Sequence, residues 1–237
     1  MIPLRDDNPT TVTPVVTVAI IAACTVAFLW QLTLPPPALQ EITYALGVIP
    51  IVLLGGESLP PEIARVPPWL TIVTSMFLHG GWLHLIGNML YMWIFADNIE
   101  DALGHVTFVV FYVVCGAAAA LTQSALDVNS TVPMIGASGA IAGVLGAYLV
   151  LFPRAHVLVL LPLGFFTQLF RLPALLVLGF WFVLQFLQGG LAQPTDGGGV
   201  AYWAHIGGFA AGVVLILLIP RRPSSGAWRN PRRGPWG

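Results

Sequence analysis

Apolar residues in this chain gather in blocks of about 20, each long enough to cross a hydrocarbon core roughly 30 Å thick, and the blocks recur from Val12 to Ile219. The pattern predicts spans over residues 12–33, 82–100, 106–126, 136–152, 172–188 and 200–219. Between the first two lies a long loop, proline-rich at Pro35, Pro36 and Pro37 and again at Pro67 and Pro68. Gly80 and Gly81 interrupt the apolar stretch from Trp69 to Ala96. The second span therefore starts at Trp82, and residues 69–79 approach the membrane as part of the loop. The segment of residues 155–170, between Arg154 and Arg171, is short for a crossing and broken by Pro162 and Gly164, so it is expected to lie in the interface, the alternative being a seventh span that would put the termini on opposite sides. The expected fold class is an all-α membrane protein, a bundle of six transmembrane helices. A cytoplasmic tail of residues 1–11 precedes the membrane domain of residues 12–219, and a basic tail of residues 220–237 follows it.

Composition supports this frame. Hydrophobic residues make up 57% of the 237 and charged residues only 8%, against roughly 25% charged in soluble domains. A net charge of -1 gives no footprint for nucleic acid. Cys24 and Cys115 both lie inside apolar runs and read as packing, with no disulfide framework and no metal spacing. The first span follows Arg5, Asp6, Asp7 and Pro9 and lacks a small-residue cleavage site, so it reads as a retained span. All nine basic residues are arginines. With six spans only Arg65 falls on the far side from the N-terminus, and the positive-inside rule then puts both termini in the cytoplasm. The all-arginine set and short tails suggest a bacterial inner membrane, with the arginine-rich tail against anionic lipid.

Polar groups inside such spans are costly, and each asks for a partner or a task. His84 and Asn88 stand four apart on one face of the second span. The fourth span opens with Gly136-Ala137-Ser138-Gly139, and the sixth carries His205 ahead of Gly208 and Gly212. Ser138, His205 and Asn88 all lie two to six residues from the outer ends of their spans, roughly 3–10 Å deep at 1.5 Å per residue. Singly, each has an ordinary explanation. A helical serine bonds back to its own backbone, and glycines are helix-contact residues in membranes. A metal site would need at least three ligands, and His79, His84 and His205 have no cysteine or acid beside them.

Together, serine, imidazole and amide are the parts that acyl transfer needs. An imidazole takes the serine proton during attack on a carbonyl, and amide, imidazole and helix N-terminal N–H groups hold the oxyanion. Glycines at 139, 143, 208 and 212 let the fourth and sixth spans approach at backbone distance. No acidic residue is expected beside His205, although Asp127 and Asp196 sit in outer loops. The reading is a Ser138–His205 dyad that works without a cofactor.

These strings resemble the rhomboid family of intramembrane serine proteases. The resemblance runs from about Trp69 to Pro220 and is carried by His79-Gly-Gly-Trp-Leu-His84-Leu-Ile-Gly-Asn88 with Glu100, Asp101 and Gly104 after it, by Gly136-Ala137-Ser138-Gly139, and by Ala204-His205 with Gly208 and Gly212. It implies six helices around a cavity open to the outer face, with Ser138 as nucleophile, His205 as base and acid, and Asn88, His84 and the Ser138 N–H as oxyanion donors. Its implied partners are transmembrane protein substrates within the lipid bilayer. The fifth span, with Trp181 and Gln185, would flank substrate entry, and an ordinary packing role is expected for those two residues. Two features depart from the family pattern. Ala142 stands where some members carry an aromatic residue that stacks on the imidazole, and the first loop lacks the Trp-Arg pair of some bacterial members. A catalytically inactive, client-binding relative is the alternative. A transporter or channel would need charged relays or inverted repeats that the spans do not display.

Overall fold

The computed structural model describes residues 1–163, 166–191 and 200–220. Asp196 and the arginine-rich tail from Arg221 onward lie outside the described residues. Within them the chain is mostly helical: α1 (Val15–Gln31), α2 (Pro36–Leu46), α3 (Pro50–Leu53), α4 (Thr71–Thr74), α5 (Trp82–Leu103), α6 (His105–Leu126), α7 (Ser138–Leu151), α8 (Ala174–Leu191) and α9 (Tyr202–Leu218). By length and apolarity, α6 and α8 each suffice to cross a membrane. Helix α5 makes a third span if it is counted with residues 68–77, from which it is bent by 85°. Helices α1, α7 and α9 are apolar but shorter, at 17, 14 and 17 residues. The chain is an integral membrane protein.

Helix α7 occupies the centre. Every residue from Ala140 to Tyr148 is buried, as expected of a helix that is apolar all round. Small residues permit this. A Cβ added at Gly208 would fall on the Gly139 carbonyl, one at Gly212 on the Gly143 carbonyl, and one at Gly143 on the Cys115 side chain of α6. Helices α7 and α9 thus meet backbone to backbone, and α6 sets the small side chains of Cys115 and Ala119 against the α7 glycines; such dispersion contacts replace the hydrophobic drive that lipid cannot supply.

The opposite ends of the helices are tied by polar groups. Glu100, fully buried near the end of α5, accepts the backbone N–H groups of Val16 and Thr17, the Thr17 hydroxyl and the His105 Nδ1–H at 2.6–2.9 Å. A carboxylate at the N-terminus of α1 satisfies donors that the helix itself leaves open. Asp101 similarly accepts from Thr11, and Asn8 and Asn98 bond each other.

The all-α expectation needs correction. Of residues 155–170, expected as an apolar segment in the interface, the described ones lie almost wholly in two antiparallel strands, β2 (His156–Leu163) and β3 (Phe166–Pro173), the second of which runs into the expected start of the fifth span. Residues 2–6, expected as part of a tail, form β1 (Ile2–Asp6), which pairs antiparallel with β2 in the order β1-β2-β3. The reason is a period of two: Val157 and Val159 are fully buried while Leu158 and Leu160 are not, so one face of β2 packs on the helices. Side chains then lock β1 in place. Tyr148 Oη–H donates to the Asp6 carboxylate at 2.5 Å, and Asp7 accepts the His156 N–H at 2.7 Å. Burial pushes the Asp6 carboxyl up to about 6. The long first loop is likewise structured, with α2 started by prolines in the positions that tolerate them.

Candidate active site

Ser138 is the first residue of α7, preceded by Gly136 at φ +122 and by Ala137, which supplies no side-chain cap. Helix first turns leave their N–H groups unpaired, so α7 presents backbone donors and a positive dipole end beside its serine. The loop leading in is pinned. The Gly136 N–H donates to Ser75 O at 2.9 Å, and Met134 pairs with Val48 through two backbone bonds.

His205 stands in the first turn of α9, 9% exposed. Its Nε2 lies 2.8 Å from Ser138 Oγ and its Nδ1 lies 2.7 Å from Gln185 Oε1 of α8. A carbonyl oxygen can only accept, so Nδ1 carries the proton and donates. The Nε2 lone pair is then free to accept from the Ser138 hydroxyl, the geometry of a nucleophile beside its base. The Trp181 ring of α8 lies against the imidazole, with ring centroids 5.8 Å apart and 36° between planes.

On the other side of the serine loop sit His84 and Asn88 of α5. The Gly80 N–H donates to His84 Nδ1 at 3.3 Å, which leaves the His84 proton on Nε2. That nitrogen faces Gly136 so closely that an added Cβ there would lie 2.6 Å from it and 3.6 Å from Asn88 Nδ2. Asn88 is 7% exposed and its Nδ2 is buried with no protein acceptor among the described residues. Unpaired buried donors are costly. Two N–H donors from one helical face thus lie beside the backbone two residues ahead of Ser138, without an acceptor between them. His79 stands behind, its ring edge-on to His84 and its backbone clamped by Gln31 through bonds of 3.0 and 3.3 Å.

Residues 67–222 match the family model of the Rhomboid domain, well over half of the chain. It belongs to the rhomboid family. Among curated relatives, RHOMBOID-like protein 5 of Arabidopsis thaliana is 30% identical over 70% of this chain and 48% of its own length. Rhomboid protein 1, mitochondrial, of Saccharomyces cerevisiae is 32% identical over 77% of this chain and 54% of its own. Rhomboid-like protein 11, chloroplastic, of Arabidopsis thaliana is 27% identical over 67% and 55%. The chain spans about half the length of the curated relatives it matches.

In this rhomboid chain the four residues singled out by sequence, Ser138, His205, Asn88 and His84, come together from α7, α9 and α5 at one end of the bundle. Asp127 does not join them. It ends α6, where its backbone closes a turn with Ser130. For Gln185 and Trp181, expected to pack, the structure adds a specific neighbour: Gln185 bonds the imidazole of His205 and the Trp181 ring packs beside it as well as on Tyr91 and Phe209. Four residues apart, they share a helical face. The signal was present, since a glutamine in an otherwise apolar span needs a partner as much as a histidine does. Trp181 also answers the departure at Ala142, because the aromatic neighbour of the imidazole comes from α8. Ala142 itself is fully buried.

Proposed function

We propose that this rhomboid protein is an intramembrane serine endopeptidase that cleaves transmembrane segments of membrane proteins near the outer face. The observation that carries this reading is the 2.8 Å contact between Ser138 Oγ and His205 Nε2, with the other imidazole nitrogen already bonded to Gln185. In the proposed cycle Ser138 Oγ attacks the scissile carbonyl carbon while its proton passes to Nε2. The resulting oxyanion is held by Asn88 Nδ2–H, His84 Nε2–H and the Ser138 N–H. The C–N bond then breaks as His205 protonates the leaving amine, which gives an acyl-serine. Water, deprotonated by His205, attacks the acyl carbon; the C–Oγ bond then breaks as His205 passes that proton to Ser138 Oγ, which releases the carboxylic acid and restores the serine. The cycle draws on these side chains and backbone groups alone.

Purified protein is to be tested on a model transmembrane substrate. Ser138→Ala and His205→Ala are each expected to abolish cleavage while remaining folded, and the double variant to be no worse than either. Cleavage by folded Ser138→Ala at the wild-type rate would overturn the proposal.

We further propose that six helices, α1 and α5 to α9, cross the bilayer with both termini cytoplasmic, in a membrane of the bacterial inner type. The support is the distribution of arginines, with Arg65 alone on the outer side. A cysteine at Asp196 should then react with a membrane-impermeant reagent outside sealed cells, and one at Ser225 should not. Equal labelling of both contradicts this topology.

A further inference from the structure

The glutamine of α8 is a polar side chain at this site that the proposed acyl-transfer cycle does not use. We infer that Gln185 is a positioning residue, whose side-chain carbonyl holds the Nδ1–H of His205 and so keeps the Nε2 lone pair on Ser138. The inference rests on the protease reading above.

Neutral imidazole exists as two tautomers, and only one serves a base that must take a proton through Nε2. With the proton on Nε2 instead, the serine hydroxyl would have to accept, and its own hydrogen would face no base. An acceptor within bonding distance of Nδ1 selects the useful form. Gln185 Oε1 is that acceptor at 2.7 Å, and both partners are buried, at 8% and 9% exposure. Water competes poorly for a bond so enclosed, and a hydrogen bond is worth most in such low-dielectric surroundings.

The residue type fits its location. A carboxylate is the familiar partner for a catalytic imidazole, but an ionised acid inside an apolar helix carries a large desolvation cost. An amide carbonyl gives the same directional acceptor without a charge. Among the described residues, the hydrogen-bond partner of His205 Nδ1 is this amide. Trp181, one turn earlier, packs beside the ring, so a single helix supplies both the Nδ1 acceptor and an aromatic neighbour of the base.

Phe180, Val183, Phe186 and Leu187 of α8 are all more than half exposed on the protein surface, and α8 packs chiefly on α9. Gln185 reaches inward from an element that leans on the bundle from one side.

The test compares wild type with Gln185→Leu, which replaces the amide by an apolar side chain of similar size, and Gln185→Glu, which retains an acceptor. Three readouts are needed: kcat and KM on a transmembrane substrate, thermal melting, and ¹⁵N NMR of histidine-labelled protein with the His205 signals assigned by difference from His205→Ala. Gln185→Leu is expected to stay folded and to lose about 10–10²-fold in kcat, the scale of a misplaced catalytic group, with KM nearly unchanged. Its His205 Nδ1 signal should move from the protonated toward the unprotonated position as the tautomers mix. Gln185→Glu should restore the protonated Nδ1 signal and much of the kcat. If the glutamate variant does not fold, the leucine variant decides alone. A folded Gln185→Leu protein with wild-type kcat and unchanged His205 signals overturns the inference, as does a lowered melting temperature with unchanged kcat per folded molecule, which would make Gln185 a packing residue. Should the wild type cleave nothing, the protease reading fails, while the ¹⁵N spectra still report whether Gln185 sets the tautomer.

Discussion

Replacing Gly208 by alanine adds one methyl group at the closest approach of α7 and α9, and its effect can be worked out from the backbone alone. The new Cβ would coincide with the space of the Gly139 carbonyl oxygen. An ordinary carbon–oxygen contact is about 3.3–3.6 Å, so the two helices must part by about 1 Å or more to accept it. Neither atom can yield by rotating, because the Cβ is fixed by the α9 backbone and the oxygen belongs to the α7 backbone. Gly139 directly follows Ser138 and Gly208 lies one turn after His205, so the separation acts on the dyad itself. Adding about 1 Å to the 2.8 Å between Ser138 Oγ and His205 Nε2 carries the pair past roughly 3.6 Å, where a side-chain contact is no longer a hydrogen bond. A misplacement of this size costs about 10²-fold in rate. The assay is kcat on a model transmembrane substrate alongside thermal melting, for Gly208→Ala, Gly208→Val and the control Gly179→Ala, whose Cβ meets nothing within 4 Å. Both Gly208 variants should lose turnover by about 10²-fold or more and melt at lower temperature, while the control stays at wild-type values. A folded Gly208→Ala enzyme with near-normal turnover would refute the reasoning that backbone approach sets the dyad distance.

Asn88→Ala removes a donor assigned to the oxyanion and should lower kcat by about 10²–10³-fold with little change in KM; severe loss of stability with unchanged turnover of the folded protein would instead make Asn88 a packing residue. Ala142→Tyr forces a large ring into a fully buried position and should destabilise by at least about 1–3 kcal/mol, read in thermal melts; a melting temperature at or above wild type would mean that the site has room. Asp6, pushed up to about 6 by burial, retains its proton in the folded sheet at pH values where the unfolded chain, at about 3.9, has lost it. The folded state therefore binds more protons between about pH 4 and 6, and this contribution to stability is lost as pH rises through about 6. Asp6→Asn should flatten that part of the melting profile, and an unchanged slope would contradict the assignment.

The site was legible in sequence for an energetic reason. Ser138, His205, His84 and Asn88 are polar groups in apolar blocks, and such groups stand out because few sequences tolerate them there. Gln185 satisfied the same criterion but belonged to no string of neighbouring polar residues, and its relation to His205 depends on how α8 rotates against α9, which helical periodicity does not specify. The long helices were readable to within about three residues of their ends: α6 starts at His105 and α5 at Trp82, within a residue of the expected starts, while α1 starts at Val15 and α5 and α8 run on to Leu103 and Leu191. The sheet was not. In His156–Leu163 the outward positions are also largely apolar, so alternation is masked and the segment resembles a broken span. Its third strand comes from Ile2–Asp6, some 150 residues away in sequence, and no local pattern announces so distant a pairing.

The most direct measurement of the central claim is covalent labelling by a fluorophosphonate, which reacts with a serine whose proton is accepted by a neighbouring base. With intact protein in detergent or nanodiscs and mass-spectrometric mapping of the adduct, the account predicts a single modified residue, Ser138. Labelling should disappear in Ser138→Ala and fall to background in His205→Ala. A protein that takes no label, or takes it elsewhere than Ser138, or labels Ser138 equally well without His205, would contradict the assignment of these two residues as nucleophile and base.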